Sequence, residues 1–113
     1  MNLTKILILV FLILSNNAYS KEFEISDFEE LGFKKETVQF YQIIGAIDGW
    51  SGKIDDERLE VYIYENEKDI PKEDFENQIT NGNASGWKEA CFNNNLALLT
   101  KGTSACKIIK QLK

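Results

Sequence analysis

Carboxylates are the side chains in this sequence that could do acid–base chemistry, because histidine is absent. Histidine is the commonest general acid and base and completes the Ser-His-Asp and Cys-His nucleophiles, so those forms of catalysis are excluded. The remaining arrangement is a pair of carboxylates of the glycosidase kind. Its candidates lie near the middle of the chain: Asp48, Asp55, Asp56, Glu57 and Glu60. The same run is also typical of a solvated turn flanked by strand ends. We favour that interpretation and expect no catalytic residue.

No metal ion or other cofactor is expected. The run Asp48-Gly49-Trp50-Ser51-Gly52 does not match the Asp-x-Asp-x-Asp-Gly pattern of a calcium loop. Neither standard form of the Gly-rich phosphate loop occurs. A zinc site needs more ligands than the two cysteines of this histidine-free chain.

The two cysteines, Cys91 and Cys106, are predicted to form a structural disulfide. A redox-active pair is usually Cys-x-x-Cys, whereas these residues are 15 positions apart. In an oxidising compartment, two cysteines leave a single intramolecular pairing. Closing a loop of this length is worth about 3 kcal/mol in the chain-entropy model. Such a bridge would stabilise a small domain, whose core alone gives little margin.

Three aromatic residues indicate a binding surface. Tyr62 and Tyr64 lie opposite the aliphatic face of their predicted strand, and Trp50 lies in a glycine-rich stretch nearby. Exposed aromatic side chains grouped in this way often mark an interface. The alternative is that helices cover both faces of the sheet and leave the tyrosines half-buried with their hydroxyls outward.

A β-hairpin in the middle of the chain positions these residues. Its first strand is predicted over residues 43–54, bent or bulged at its glycines, and residues 55–57 form the turn. Residues 59–64 alternate between two faces. One face carries Leu59, Val61 and Ile63, and the other carries Glu60, Tyr62 and Tyr64. Residues 35–43 are ambiguous between helix and strand.

Two helices are predicted on either side of this hairpin. Ser26-Asp27-Phe28-Glu29 has the Ser-x-x-Glu form of a capping box at the start of a short helix. A second helix is predicted over residues 71–80, because proline suits the first helical position and Asn81-Gly82 is a standard stop. Its apolar residues are few, chiefly Phe75 and Ile79, so we expect it to cover the sheet edgewise at best.

A second hairpin follows near the end of the chain. Residues 87–92 and 96–100 flank Asn93-Asn94-Asn95, and asparagine tolerates the left-handed backbone that tight turns demand. A turn centred on Asn93-Asn94 places Cys91 opposite Leu96.

The last predicted element is an amphipathic helix over residues 103–112. Its apolar stripe follows helical spacing and consists of Ala105, Ile108, Ile109 and Leu112. Packing this helix on the sheet brings Cys106 towards Cys91. The fold class is therefore α+β, with two β-hairpins (about four antiparallel strands) packed by two or three helices.

The N-terminus has the three parts of a secretory signal peptide. Lys5 is the positive region, residues 6–14 are an unbroken apolar core, and Ala18-Tyr19-Ser20 places small residues at the cleavage positions. This core is far shorter than the roughly 20 residues that span a bilayer, so we expect no membrane span after cleavage. Cleavage of residues 1–20 would leave residues 21–113 as a single domain in the periplasm or outside the cell.

The charge of this domain argues against nucleic-acid binding. Residues 21–113 contain twelve basic and eighteen acidic residues, a formal charge of −6. Binding to phosphates depends on clustered Lys and Arg. Here the basic residues are scattered, and only Arg58 is an arginine.

Residues 41–64 (YQIIGAIDGWSGKIDDERLEVYIY) contain Ile44-Gly45-Ala46-x-Asp48-Gly49 and the strand Leu59-Glu60-Val61-Tyr62, followed by an Asn-containing hairpin at residues 94–99 and a closing helix. In these features the chain resembles a group of small exported bacterial proteins of uncharacterised function. The group has a strand of the Val-Glu-x-Tyr kind, whose order is shifted here. The resemblance implies export and an α+β fold, and no activity.

Export, the lack of a catalytic constellation and an aromatic strand face together predict a non-enzymatic module that binds a protein or a cell-envelope component. Two alternatives stay open: a histidine-free hydrolase that uses carboxylates, and a structural component of the envelope. The sequence does not identify the partner or the oligomeric state.

Overall fold

A five-stranded antiparallel sheet forms the centre of the computed structural model, which describes residues 22–80 and 85–113. The predicted signal peptide, residues 1–20, and the predicted end of the second helix at Asn81-Gly82 lie outside the described residues. The strands are β1 (Phe33–Val38), β2 (Asp48–Ile54), β3 (Glu57–Ile63), β4 (Glu89–Asn93) and β5 (Leu96–Thr100), in the spatial order β1-β2-β3-β5-β4. The helices are α1 (Ile25–Glu29), α2 (Lys72–Thr80) and α3 (Ala105–Ile109), with 3-10 turns at Tyr41–Ile44 and Glu67–Asp69. The α+β prediction is confirmed, with five strands rather than four.

The additional strand is β1, which comes from the stretch that was ambiguous between helix and strand. It pairs with β2, and its ladder is interrupted by a bulge between Lys35 and Thr37. The prediction of one strand over residues 43–54 is wrong at its start. Gly45 has a left-handed backbone (φ 77°) and ends the 3-10 turn at Tyr41–Ile44, so β2 begins only at Asp48.

The predicted alternation of the β3 side chains is confirmed. Leu59, Val61 and Ile63 are buried in one core, on what we call the first face of the sheet, whereas Tyr62 and Tyr64 belong to a second core on the second face. In β5, Leu96 and Leu98 point to the first face and Ala97 and Leu99 to the second. A strand whose two faces are both covered buries every side chain, as the fully buried β5 does.

Helices α1 and α3 cover the first face. The predicted capping box at Ser26 and Glu29 is replaced by one that starts two residues earlier, where the Glu24 N–H donates to the Asp27 carboxylate at 2.8 Å. Helix α3 is shorter than predicted. The Asn93 side chain donates to the carbonyl oxygens of Ile109 and Leu112, at 2.8 and 3.1 Å, and these bonds accompany the end of the helix.

Helix α2 lies on the second face, and the expectation that it would only cover the edge is wrong. Phe75 is buried among Tyr62, Tyr64 and Phe92, with ring centroids 5.7 to 6.4 Å away and edge-to-face geometry. Five strands make a face about 20 Å wide, whereas one helix covers about 10 Å. Part of the second face is therefore left to the 3-10 turn at Tyr41–Ile44.

The turn of the second hairpin lies one residue later than predicted. Asn94 carries the left-handed backbone (φ 52°), and Asn94-Asn95 form the turn. Cys91 consequently faces Leu98 rather than Leu96. The shift accompanies the burial of the Asn95 side chain, which bonds to the backbone of two neighbouring segments.

None of the helices within residues 22–80 and 85–113 has the length and apolar composition needed to cross a membrane.

Candidate functional site

Glu57, one of the carboxylate candidates, holds the start of α3. Its carboxylate accepts hydrogen bonds from the backbone N–H groups of Ser104 and Ala105, each at 3.0 Å, and from the Thr100 hydroxyl. Burial opposes the charged form, but the hydrogen bonds outweigh it and hold the pKa of Glu57 below its ordinary value. A general acid needs a raised pKa, so this environment suits a helix cap instead.

The other carboxylate candidates are not brought together as a pair. Asp48 begins β2 and accepts the Gly49 N–H at 2.9 Å, whereas Asp55 and Asp56 are exposed in the turn at the other end of that strand. A seven-residue strand is about 20 Å long, and paired carboxylates of glycosidases lie within about 10 Å of each other. Glu60 is on the second face of β3, away from Glu57. The described residues also include no group of three or more acidic or cysteine side chains placed to hold a metal ion.

The disulfide prediction is confirmed. Cys91 and Cys106 are bonded, with their Cα atoms 5.8 Å apart. Both residues belong to the core of the first face, so the bridge ties α3 to the edge strand β4. It therefore holds a short helix on a strand that pairs with one neighbour only.

The predicted aromatic surface at Trp50, Tyr62 and Tyr64 is not present as an exposed face. Tyr62 and Tyr64 are only 7% and 0% exposed, because α2 and Phe75 cover them. Trp50 lies opposite Val61 and packs against the core of the first face, with the Lys35 ammonium 4.5 Å from its ring centroid. Helices cover both faces of the sheet, as in the alternative interpretation, but the two tyrosines are buried rather than half-buried.

The hydroxyls of the two tyrosines fix the polar groups around them. The Tyr62 hydroxyl donates to the Glu60 carboxylate at 2.6 Å, and the Tyr64 hydroxyl donates to the Ile44 carbonyl at 3.1 Å. Burial, followed by the nearby Glu60 carboxylate, raises the pKa of Tyr62 far above its ordinary value. Burial and Asp74 raise the pKa of Tyr64 to about 12. Both phenols therefore stay protonated at neutral pH, and Tyr64 ties the 3-10 turn to the sheet.

An open groove of about 550 Å³ separates this 3-10 turn from α2. One wall is formed by Ile43 and Ile44, and the floor includes Tyr62 and Leu99. The α2 side contributes the following lining residues: Pro71, Asp74, Phe75 and Gln78. A depression of about 690 Å³ elsewhere is lined mainly by polar and charged residues such as Glu67. Binding sites are usually apolar with a few polar groups, so the groove beside α2 is the candidate site.

The turn that forms the groove wall carries exposed apolar side chains. Phe40 is 85% exposed and Ile43 is 82% exposed, and Ile44 and Ile47 are also exposed. We call residues 40–47 the apolar turn. In the described part of the chain, the only other large apolar side chain with this degree of exposure is Val38. Clustered exposure of this kind marks interaction sites in soluble domains.

The apolar turn is nevertheless held in place. The Tyr64–Ile44 hydrogen bond anchors its middle, and the Ile47 N–H donates to the Ile63 carbonyl at 2.8 Å. Tyr41 packs into the second core, and a Cβ added at Gly49 would lie 2.9 Å from the Tyr41 Cβ and 2.7 Å from the Tyr62 ring. Glycine at this position therefore permits the turn to close over the sheet.

Sequence reasoning did not identify the apolar turn. Its residues were divided between an ambiguous stretch, residues 35–43, and a predicted strand, residues 43–54. The available signal was the spacing of Phe40, Ile43, Ile44 and Ile47 at i, i+3, i+4 and i+7, an apolar stripe of helical period that is interrupted by Gly45.

Comparison with family models, curated proteins and solved structures finds no match to this chain.

Proposed function

We propose that this chain is an exported, non-enzymatic module that binds a protein partner through the apolar turn and the adjoining groove. The observation that carries the proposal is the exposure of Phe40 and Ile43, more than four fifths each, on a turn that forms the groove wall. Exposed apolar area is unfavourable in water by about 25 cal/mol per Å², and a partner that covers it recovers this free energy.

The anchoring of the turn supports binding rather than local disorder as the reason for this exposure. A surface that is already ordered loses little conformational entropy when a partner binds. The two hydrogen bonds and the packing of Tyr41 provide that order before any partner arrives. Large apolar and aromatic side chains beside a pocket are also the usual centres of binding energy in interfaces.

Two features support an extracytoplasmic location. The Cys91–Cys106 bridge is of a kind that persists in oxidising compartments and is rare in the cytosol. The N-terminal sequence has the charged, apolar and small-residue parts of a cleavable secretory signal.

Affinity capture with surface variants tests this function. The full chain, tagged at its C-terminus and expressed in its own host, would be purified from the envelope and culture fractions, and co-purifying proteins would be identified by mass spectrometry. We expect a specific partner to be lost with Phe40→Ser/Ile43→Ser, because serine removes the apolar contact. Val38→Ser is the matched control: Val38 is 53% exposed but pairs with Trp50, which faces the other side of the sheet. Unchanged capture by the double variant, or equal loss with the control, would contradict the proposal.

A further inference from the structure

We propose that the groove binds a cationic apolar peptide segment of the partner, with a Lys or Arg side chain between Glu60 and Asp74 and an apolar neighbour over the groove floor. This inference rests on the proposed function and names the chemistry of the partner.

The charges that line the groove are of one sign. Glu60 and Asp74 are its two ionisable carboxylates, and no Lys or Arg is among the described lining residues. The Tyr62 hydroxyl, 2.6 Å from Glu60, holds that carboxylate beside the floor. Glu60 is half-buried and Asp74 is exposed, so the two carboxylates give the groove a negative potential that favours a cationic partner.

The basic residues near the groove have other contacts. Lys72, on the same helix as Asp74, lies 3.2 Å from the Glu67 carboxylate. Lys101 lies against the ring of Trp87 at one end of the groove, 5.4 Å from the ring centroid. Arg58 pairs with Glu36 at 2.9 Å. In the described part of the chain these three basic side chains are thus engaged by other groups, although Arg58 and Lys101 border Glu60 in a neighbouring depression.

The apolar part of the groove fits the second half of the proposed ligand. The apolar lining of the groove includes three buried residues, Tyr62, Phe75 and Leu99. Ile43 lies beside them with most of its surface exposed. A volume of about 550 Å³ is typical of sites that bury a ligand of several side chains. Contact with Ile43 would bury the apolar stem of a Lys or Arg together with its apolar neighbour.

The same charges disfavour the other occupants of an apolar surface. A second copy would bring Glu60 and Asp74 of one chain towards those of the other, and the chain carries a net charge of −5. Like charges at an interface cost binding free energy. An anionic membrane surface is disfavoured for the same reason. Cationic character is what distinguishes the favoured partner.

Peptide binding to the full, exported chain tests this inference. The probes are three fluorescein-labelled 12-residue peptides of one length and pattern: leucine with lysine, leucine with glutamate, and serine with lysine. Fluorescence anisotropy at 0.15 M NaCl measures their dissociation constants. We expect the leucine–lysine peptide to bind about tenfold more tightly, or better, than either of the others, because only this peptide supplies both the cation and the apolar contact.

Charge-matched variants then locate the binding. Glu60→Gln/Asp74→Asn should weaken the leucine–lysine peptide about tenfold, and glutamine still accepts the Tyr62 hydrogen bond. Asp55→Asn/Asp56→Asn changes the net charge by the same amount in an exposed turn and should leave binding within about twofold. Equal weakening by both pairs, equal binding of the leucine–glutamate peptide, or no binding of the leucine–lysine peptide would overturn the inference, as would self-association that depends on Ile43.

The two proposals fail in different ways. Loss of partner capture with Phe40→Ser/Ile43→Ser, together with full capture by Glu60→Gln/Asp74→Asn, would overturn the cationic peptide and leave the apolar turn as the binding surface. Full capture by Phe40→Ser/Ile43→Ser would overturn the binding surface itself. Circular dichroism of each variant confirms that the sheet is intact in every comparison.

Discussion

At the scale of single residues, Asn95 joins three parts of the chain. Its side chain is buried; the oxygen accepts the Phe23 N–H at 2.7 Å, and the amide donates to the carbonyls of Phe23 and Tyr64 at 2.9 and 3.0 Å. It thus fixes the N-terminal segment and the end of β3 against the second hairpin. Because a buried amide must keep its hydrogen-bond partners, these bonds hold the N-terminal segment in a single position against the sheet.

Replacing Asn95 by alanine should therefore destabilise the domain strongly. Asn95→Ala leaves one N–H and two carbonyl groups without these partners, and we expect a loss of about 3 kcal/mol or more in the free energy of unfolding. Urea unfolding measures the loss, and Asn77→Ala, on the exposed side of α2, serves as the control, with an expected change of about 0.5 kcal/mol or less. A loss below about 1 kcal/mol for Asn95→Ala would show that water replaces these bonds.

Glu57 gives the domain a pH-dependent contribution. Its pKa is lowered in the folded state, so its stabilising effect is complete above the pKa of the unfolded chain and disappears as the pH falls through the lower folded pKa. We expect Glu57→Gln to cost about 1 to 2 kcal/mol at pH 7, as loss of a charged helix cap does. The difference between the two proteins should shrink when unfolding is measured at pH 3. A difference independent of pH would contradict the charged cap, and Asp56→Asn in the exposed turn controls for net charge.

At the scale of elements, alternation predicted much of the sheet. Period-two patterning identified β3 and both of its faces, because strand geometry places successive side chains on opposite sides. It could not show that the Tyr62 face is covered, since that depends on where α2 packs, and α2 has few apolar residues by which to judge. The predicted start of β2 was wrong for a local reason, because the left-handed backbone conformation of Gly45 changes the direction of the chain.

Local sequence patterns could not predict the register of the second hairpin or the exposure of the apolar turn. Three consecutive asparagines allow more than one turn, and the choice of Asn94-Asn95 accompanies long-range bonds from Asn95 to Phe23 and Tyr64. The exposure of the apolar turn accompanies the packing of Tyr41 against the second core, which leaves Phe40 and Ile43 facing away from the sheet. Both outcomes depend on tertiary contacts. The cysteine pairing needed no such contacts, because only two cysteines are present.

The bridge should contribute more to stability than any other single link between α3 and the sheet. Replacing both cysteines, Cys91→Ala/Cys106→Ala, should lower the free energy of unfolding by about 3 kcal/mol, as expected for a loop of this length. Guanidinium unfolding with and without dithiothreitol measures it. Reductant should destabilise the native chain and leave the double variant unchanged. A native chain as stable in reductant as without it would show that the bridge adds nothing.

At the scale of the whole molecule, the two faces of the sheet differ in how completely they are covered. The first face has α1, α3 and the disulfide, whereas the second has one nine-residue helix and a 3-10 turn. The groove lies where these two elements of the second face do not meet. We infer that stability resides mainly in the first face and that binding belongs to the second.

Site-specific photo-crosslinking in the producing cell tests this division most directly. The photoreactive residue p-benzoylphenylalanine would be placed at Ile43, on the groove wall, and in a separate copy at Asp55, at the far end of β2. This division predicts a discrete cross-linked protein at Ile43 and none at Asp55 after irradiation. The absence of a cross-link at Ile43, or the same cross-linked protein at both positions, would contradict it.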